Sequence, residues 1–381
     1  MKKLLFTLGL LFLLTSGLFG LYERFLRTTF FVAEVAATQD IIGTPPREEK
    51  EYKIAIEVPH HERPLELNTK LNDILLKIVQ EEGWQAPAHY KQTYFITTSE
   101  DTFVFRDIYF DTPDDLLDSK NSALRLRWRW DSNHSYREHL KGSFSRESMP
   151  TRVEIQSKVG RAEKGEGFSE VQESRMEFAK DAHPIKNFYD EGKARLLLPF
   201  FFETIKTGRF DSNVHTPAHS IAQNVRLVNQ DLVSVQLIPK VLILARRHRF
   251  HLNLVTPWGS GPNPKNAFIV TIDRYRGTLL PPSAKWESDL KRFDLSKAEE
   301  SVELEIEFER NTSTRLEDEI ERLEKAHLHK ELETVRNIQN LFASDHKKLA
   351  QEIIKHLQME GYRLDPKNVS KAQIMRARLK K

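Results

Sequence analysis

The sequence predicts an α+β fold in which an antiparallel sheet, closed as a barrel or paired as a sandwich, is surrounded by helices. Two observations carry this. Between about residues 52 and 310 the apolar residues recur with period two in eight separate runs, the spacing of half-buried strands. After Asn311 the spacing lengthens to between three and five residues, which belongs to helix. Strands separated by long insertions and followed by a helical block fit the α+β class.

The eight runs are Tyr52–Val58, Thr102–Phe110, Ala123–Trp130, Arg152–Val159, Ser174–Phe178, Leu232–Leu254, Ala267–Asp273 and Ser301–Glu309. Helical patterns occupy Leu65–Glu82 and Pro184–Thr204. Beyond Asn311, Leu316, Ile320, Leu323, Leu328, Leu332, Val335, Ile338 and Leu341 form one apolar stripe amid dense charge. That is an amphipathic helix, continued by a second from about Ser344 to Glu360. The last stretch, 367–381, carries Lys367, Lys371, Arg376, Arg378, Lys380 and Lys381 and is expected to be a solvated helix end.

At the other end, Met1-Lys2-Lys3 precedes an uncharged run from Leu4 to Tyr22. A bilayer span needs roughly 20 apolar residues, and positive charges before it favour an N-in orientation. Residues 1–22 are therefore expected to be a signal anchor or signal peptide, with the rest on the extracytoplasmic side of the cell envelope. Residues 38–50, with Gly43, Pro45, Pro46 and a charge cluster, have the composition of a linker. The implied organisation is a β domain over 51–310 and a helical extension with a basic tail over 312–381.

A net charge of +3 from 58 basic and 55 acidic residues is too balanced for nucleic-acid binding by bulk electrostatics, so an anion site must be a local concentration of charge. The chain has no cysteine, which excludes disulfides, thiolate metal ligands, thiol nucleophiles and iron–sulfur clusters.

The strands carry charge in rows. Arg125, Arg127 and Arg129 alternate with Leu124, Leu126 and Trp128, so three guanidinium groups share one face. Two unit charges about 6 Å apart repel by roughly 3 kcal/mol at an effective dielectric near 20. An offset is at hand in Glu303, Glu305 and Glu307, which alternate with Leu304, Ile306 and Phe308. On an open sheet such rows would only neutralise each other, at about 0–1 kcal/mol per pair. Further charges on separate strands, Glu154 with Lys158, Arg175 with Glu177, and Arg246, Arg247 and Arg249, favour a common interior. Converging cations focus a field suited to phosphates, and a carboxylate row offers hard oxygen ligands for Mg²⁺ or Mn²⁺.

The run Tyr109-Phe110-Asp111-Thr112-Pro113-Asp114, followed by Ala123-Leu124-Arg125-Leu126-Arg127, resembles the YFDTPD and LRxR signature of the CYTH and triphosphate tunnel metalloenzyme superfamily. The segment Pro239–Phe250 and the following Ile272-Asp273 resemble the polyphosphate polymerase branch, the vacuolar transporter chaperone type. The resemblance covers roughly 53–309. It implies an eight-stranded tunnel that binds triphosphate or polyphosphate with Mg²⁺ or Mn²⁺, and hydrolysis, phosphoryl transfer or adenylate cyclisation as the chemistry. Carried onto this chain, Arg125, Arg127, Lys158, Arg175 and Arg247 would hold phosphate oxygens, while Glu57, Glu177, Glu303 and Glu305 would hold metal. Asp111 fits a turn and capping role better than a catalytic one.

One departure bears on activity. The family opens with a Glu-x-Glu-x-Lys strand, and the aligned stretch Ile54-Ala55-Ile56-Glu57-Val58-Pro59 keeps only Glu57; an earlier register, Glu51-Tyr52-Lys53, keeps one Glu and the Lys. Loss of ligands would leave a non-catalytic binding or scaffold module as the alternative, with the C-terminal helices free to recruit a protein partner. His60-His61-Glu62 and His327-Leu328-His329 lack zinc-site spacing, and Trp258-Gly259-Ser260-Gly261 lacks the later residues of a phosphate-binding loop.

Overall fold

The computed structural model describes residues 41–59, 64–80, 94–97, 102–131, 136, 140, 151–161, 168–178, 237–254, 265–281, 294–366 and 371–379. The segments 1–22, 60–62, 184–204 and 258–261, singled out above, lie outside them.

Eight antiparallel strands close into a barrel: β1 (Ile41–Glu57), β3 (Thr102–Asp111), β4 (Ser122–Trp130), β5 (Arg152–Arg161), β6 (Phe168–Phe178), β7 (Ile238–Leu254), β8 (Lys265–Leu279) and β9 (Ser301–Phe308). Around the barrel the order is β1-β6-β5-β4-β3-β7-β8-β9. Closure comes from β9 returning to β1, with Glu51 opposite Glu307, Lys53 opposite Glu305 and Ala55 opposite Glu303. Two short strands extend the edges, β2 (Tyr94–Thr97) on β7 and β10 (Arg363–Pro366) on β1.

β1 begins at Ile41, so residues 41–50 are strand and not linker. The register on β6 shifts between Thr44 and Arg47, where Pro45 and Pro46 stand. Proline has no N–H for the ladder, and a bulge is where a strand tolerates it. The Pro-Pro pair that signals a linker by composition is absorbed there.

The barrel is apolar outside, and inside it is charged except for an apolar patch on β3, β7 and β8 that receives the last helix. Its main core lies between the outer wall and two helices, α1 (Pro64–Gln80) and the 31-residue helix described below. Ile54, Phe268, Val270, Leu304 and Ile306 face out against Leu67, Leu71, Leu75 and Ile78 of α1 and Leu349, Ile353 and Leu357 of the long helix. Period-two strands thus spend their apolar face on helices, which leaves the other face free to hold charge.

A short α2 (Leu116–Ser119) follows β3. After β9 come α3 (Arg310–Lys325) and α4 (His329–Met359). The break falls at 326–328, not near Ser344 as the sequence pattern suggests. His327 takes a left-handed conformation with φ 56°, its N–H bonds Glu324 O, and Leu328 N–H bonds Leu323 O. That pair of bonds is a Schellman stop, and Ser344 sits within one continuous helix whose last turns are buried against the barrel. The final helix, α5 (Lys371–Leu379), is not a solvated end. Ala372 and Met375 pack against Val241, Ile243 and Tyr275 on the barrel's inner face. An added Cβ at Gly277 would stand 2.9 Å from Leu242 O and 3.1 Å from Met375 Cε, so glycine is what admits the helix there.

Candidate active site

The inward faces of the strands line a tunnel with about 1110 Å³ of empty space, mouths included. Its wall runs from Arg129 and Arg249 at one mouth to Asn121 and Gly160 at the other. On β4 alone that is Ser122 to Arg129, about 23 Å of extended chain.

Cations and carboxylates alternate around the wall. Arg127 donates to both oxygens of Asp107 (2.7 and 2.6 Å), and Arg247 donates to both of Asp273 (2.7 and 2.5 Å). Arg175 grips Glu173 (2.5 and 3.0 Å). Arg125 donates to Gln156 (2.7 Å) and Tyr109 Oη (3.0 Å), and Lys158 to Glu49 (2.5 Å). Burial works against the charge on Arg125, Lys158, Arg175 and Arg247, but their neighbours outweigh it. Tyr109 and Asp107 raise Arg125, Glu49 and Glu51 raise Lys158, Glu173 raises Arg175, and Asp273 and Glu305 raise Arg247.

Two carboxylate triads have oxygens within 4.8 Å of one another: Glu49, Glu51 and Glu307; and Asp273, Glu303 and Glu305. In the first, burial and then Glu173 push Glu49 up to about 8 against the pull of Lys158. Burial and Glu305 also raise Glu307. Burial would raise Glu51 too, but Lys158 and Lys53 hold it below its ordinary range. Lys53 Nζ stands 2.6 Å from Glu51 Oε1, yet among the described residues neither buried oxygen of Glu51 accepts a well-directed hydrogen bond. Buried carboxylates whose charge is under-compensated fit a hard divalent cation.

The second triad already has a cation at its centre. Lys371 of α5 reaches Asp273 (2.9 Å), Glu303 (2.5 Å) and Glu305 (2.5 Å), and Glu305 is shared with Arg247. Burial disfavours this ammonium, but the three carboxylates raise its pKa well above the ordinary value. The helix bearing Lys371 is clasped at its other end. Arg376 Nη1 lies 3.0, 3.3 and 3.2 Å from carboxylate oxygens of Asp111, Asp115 and Asp118. Asp111 also caps the turn, accepting from Thr112 N–H (2.8 Å), Leu117 N–H (2.8 Å) and Asp118 N–H (3.1 Å). The Asp-Thr-Pro-Asp run is thus the seat of the C-terminal helix.

The five basic residues expected from the sequence, Arg125, Arg127, Lys158, Arg175 and Arg247, all line the tunnel. Of the expected metal ligands, Glu303 and Glu305 are inward but held by Lys371. Glu57 is not in the tunnel: its side chain is 70% exposed at the barrel's end, 3.7 Å from Arg363. The side chain of Glu177 lies outside the described residues. The first strand keeps its pattern in an earlier register, because Glu49, Glu51 and Lys53 alternate on the inward face of β1. Sequence reasoning offers Glu51 and Lys53 only as the second of two registers, and misses Glu49, Asp107, Glu173, Asp273 and Lys371 as site residues. The signal for Glu49 is the alternation Glu49-x-Glu51-x-Lys53, whose first residue falls in the stretch 38–50 assigned to the linker.

An antiparallel barrel with an apolar exterior and a tunnel of alternating cations and carboxylates defines an anion-binding tunnel protein. The CYTH domain family model matches residues 87–342, and the chain belongs to that family. The match begins after β1. No curated protein matches the chain. Among solved structures, one similar chain is a Hippeastrum protein described as an adenylyl cyclase with a dominant triphosphatase activity. It is 14% identical, with 86% of this chain and 95% of that one covered and a TM-score of 0.30. The S. pombe RNA triphosphatase Pct1 is 13% identical over 80% of this chain and 85% of that one, with a TM-score of 0.29.

Proposed function

We propose that the tunnel binds a triphosphate-type anion together with Mg²⁺ or Mn²⁺ and hydrolyses it or transfers its terminal phosphoryl group. The observation that carries this is the arrangement across the lumen. Arg125, Arg127, Lys158, Arg175 and Arg247 line the same interior as the Glu49, Glu51 and Glu307 triad. Guanidinium groups present paired N–H donors that match phosphate oxygens, and each can exchange a wall carboxylate for ligand. Glu49, Glu51 and Glu307 would hold the cation, which when bound offsets the charge of the phosphate oxygens. Phosphoryl transfer asks the protein mainly to position groups and neutralise charge, so a tunnel without a covalent nucleophile suffices.

The test is phosphate release from tripolyphosphate by the full chain, with and without Mn²⁺, with product length followed to separate release from chain extension. Release that needs the metal and vanishes in Glu51→Gln supports the reading. A chain that binds neither metal nor phosphate defeats it. Lys371 within the second triad favours one alternative, a module that binds without turnover. There tripolyphosphate would raise the melting temperature and remain unconsumed.

Placement at the cell envelope rests on the run Leu4–Tyr22; among the described residues no helix is long and apolar enough to cross a membrane. Fractionation of cells expressing the full chain, followed by protease protection, tests it. A protein partner at the C-terminal helices would meet the charged face of α4, since Leu349, Ile353 and Leu357 are buried against the barrel.

A further inference from the structure

The basic rows extend beyond the residues assigned to a triphosphate. On β4 the alternation continues from Arg127 to Arg129, and on β7 from Arg247 to Arg249, each about 7 Å further along its strand. These two arginines come together although their strands are not neighbours, because β3 lies between β4 and β7 and puts Phe103 between them. The guanidinium carbon of Arg129 lies 3.7 Å from the Phe103 ring centroid and that of Arg249 lies 5.1 Å from it. The ring fixes both side chains at low entropic cost and adds a cation–π attraction to each.

What the ring does not supply is a counter-charge. The buried Nε of Arg249 has no hydrogen-bond partner among the described residues. Burial, then Arg247, lowers its pKa to about 10 against the weaker pull of Glu307, with Arg129 and Arg175 as further contributors. Arg129 gives its Nε to Asp131 (2.8 Å), a half-exposed carboxylate at the strand's end. Such a pair contributes little, and among the described residues the Nη groups of Arg129 have no partner. Cations gathered on one ring against their mutual repulsion, with donors unspent, are arranged for an anion.

We propose that Arg129 and Arg249 form an outer anion subsite that takes phosphates beyond the third, so that the tunnel selects a linear phosphate chain longer than tripolyphosphate. This rests on the reading of the tunnel as a phosphate site and names its ligand class. A nucleoside triphosphate fits less well, since the Phe103 ring that a base would stack on is already in contact with two guanidinium groups.

The experiment measures binding by calorimetry, in Mn²⁺, of tripolyphosphate, ATP and a size-fractionated linear polyphosphate to the detergent-solubilised full chain. The variants are Arg129→Gln/Arg249→Gln and Arg129→Lys/Arg249→Lys. Long chains gain statistically from offering many registers, so the decisive quantity is the ratio of long-chain to tripolyphosphate affinity compared between proteins. That ratio is expected to fall about tenfold in the Gln pair, the loss for roughly one charge-assisted contact. The Lys pair should retain part of it, which also controls for folding. An unchanged ratio overturns the subsite, as does ATP binding tighter than the long chain. If the wild type binds tripolyphosphate but shows no preference for length, the subsite alone fails. If it binds none of the three, the phosphate reading fails with it.

Discussion

Lys371 Nζ lies 2.5 Å from Glu303 Oε1, which makes a residue of the last helix part of the barrel's interior. The alternating acidic strand that marks β9 as a metal-ligand strand therefore divides its work. Glu307 joins Glu49 and Glu51, whereas Glu303 and Glu305 join Asp273 around an ammonium. Burial, with Glu305 beside it, lifts Glu303 to about 7 despite Lys371, while Arg247 and Lys371 overcome burial to hold Glu305 well below the usual range. Arg247 and Lys371 together bring two positive charges to three carboxylates, and undocking of α5 would leave Arg247 alone to offset them.

Lys371→Met is accordingly expected to lower stability by about 3–5 kcal/mol, because removing one side of a buried ion cluster strands the other. Urea denaturation gives the number, and Mn²⁺ should recover more of the stability in the variant than in the wild type, since the triad is then open to a cation. Equal midpoints for the two proteins, with or without metal, would show that α5 does not dock as described.

The two Glu candidates on β1 separate cleanly. Glu57→Gln should leave melting within about 0.5 kcal/mol, because its side chain is exposed and its ion pair lies at the surface. Glu51→Gln, at a buried position with both oxygens lacking a directed hydrogen bond, should remove the metal-dependent part of any phosphate binding or release. Parallel metal titrations of the two variants decide it. A loss at Glu57 with none at Glu51 would return the first strand to the later register.

What was legible in the sequence follows from period and sign. Arg125 and Arg127 alternate with apolar residues on a short strand, so their shared face could be inferred locally, and all five basic residues expected from such rows do line the tunnel. Glu49 obeys the same rule but follows Pro45 and Pro46, and the proline pair turns the reading there from strand to linker, so that Glu51 and Lys53 are legible only as the second of two registers. Lys371 could not be found this way. α5 is nine residues long, and its place is set by contacts more than 60 residues away, with Glu303 (68 residues) and Glu305 (66 residues). Nothing in its own spacing distinguishes a buried lysine from a solvated one.

The clasp at the far end of α5 makes a kinetic prediction. Arg376 is 6% exposed and bound to three carboxylates of the turn after β3, with Gln373 adding a hydrogen bond to Asp118 O at 3.3 Å. Arg376→Gln should let α5 undock more often, by a factor of about 5–30 for a loss of 1–2 kcal/mol. Limited proteolysis scored by loss of the C-terminal segment reads that factor. Cleavage at the wild-type rate would assign the clasp no role in holding the helix.

A last prediction concerns acid. His346 of α4 lies among Tyr52, Phe168 and Phe268, with ring centroids 4.9, 6.3 and 5.7 Å away, and its Nε2 is 2.8 Å from Ile306 O, to which it donates when neutral. Burial lowers its pKa from 6.5 to about 4, with the bond to Ile306 opposing. The unfolded chain therefore takes up a proton between about pH 6.5 and 4 that the folded chain refuses, so this contribution is whole above about pH 6.5 and is lost as pH falls toward 4. The difference of 2.5 units corresponds to about 3 kcal/mol. Glu49 and Glu303 act with the opposite sign, because their raised pKa values favour the folded state at low pH and lose that advantage as pH rises through about 8 and about 7. Their effect cancels when wild type is compared with His346→Gln, which can keep a donor for Ile306 O but does not titrate. The stability difference between the two proteins should shift by about 3 kcal/mol against the wild type from pH 7 to pH 4, and parallel curves would rule out His346 as the source.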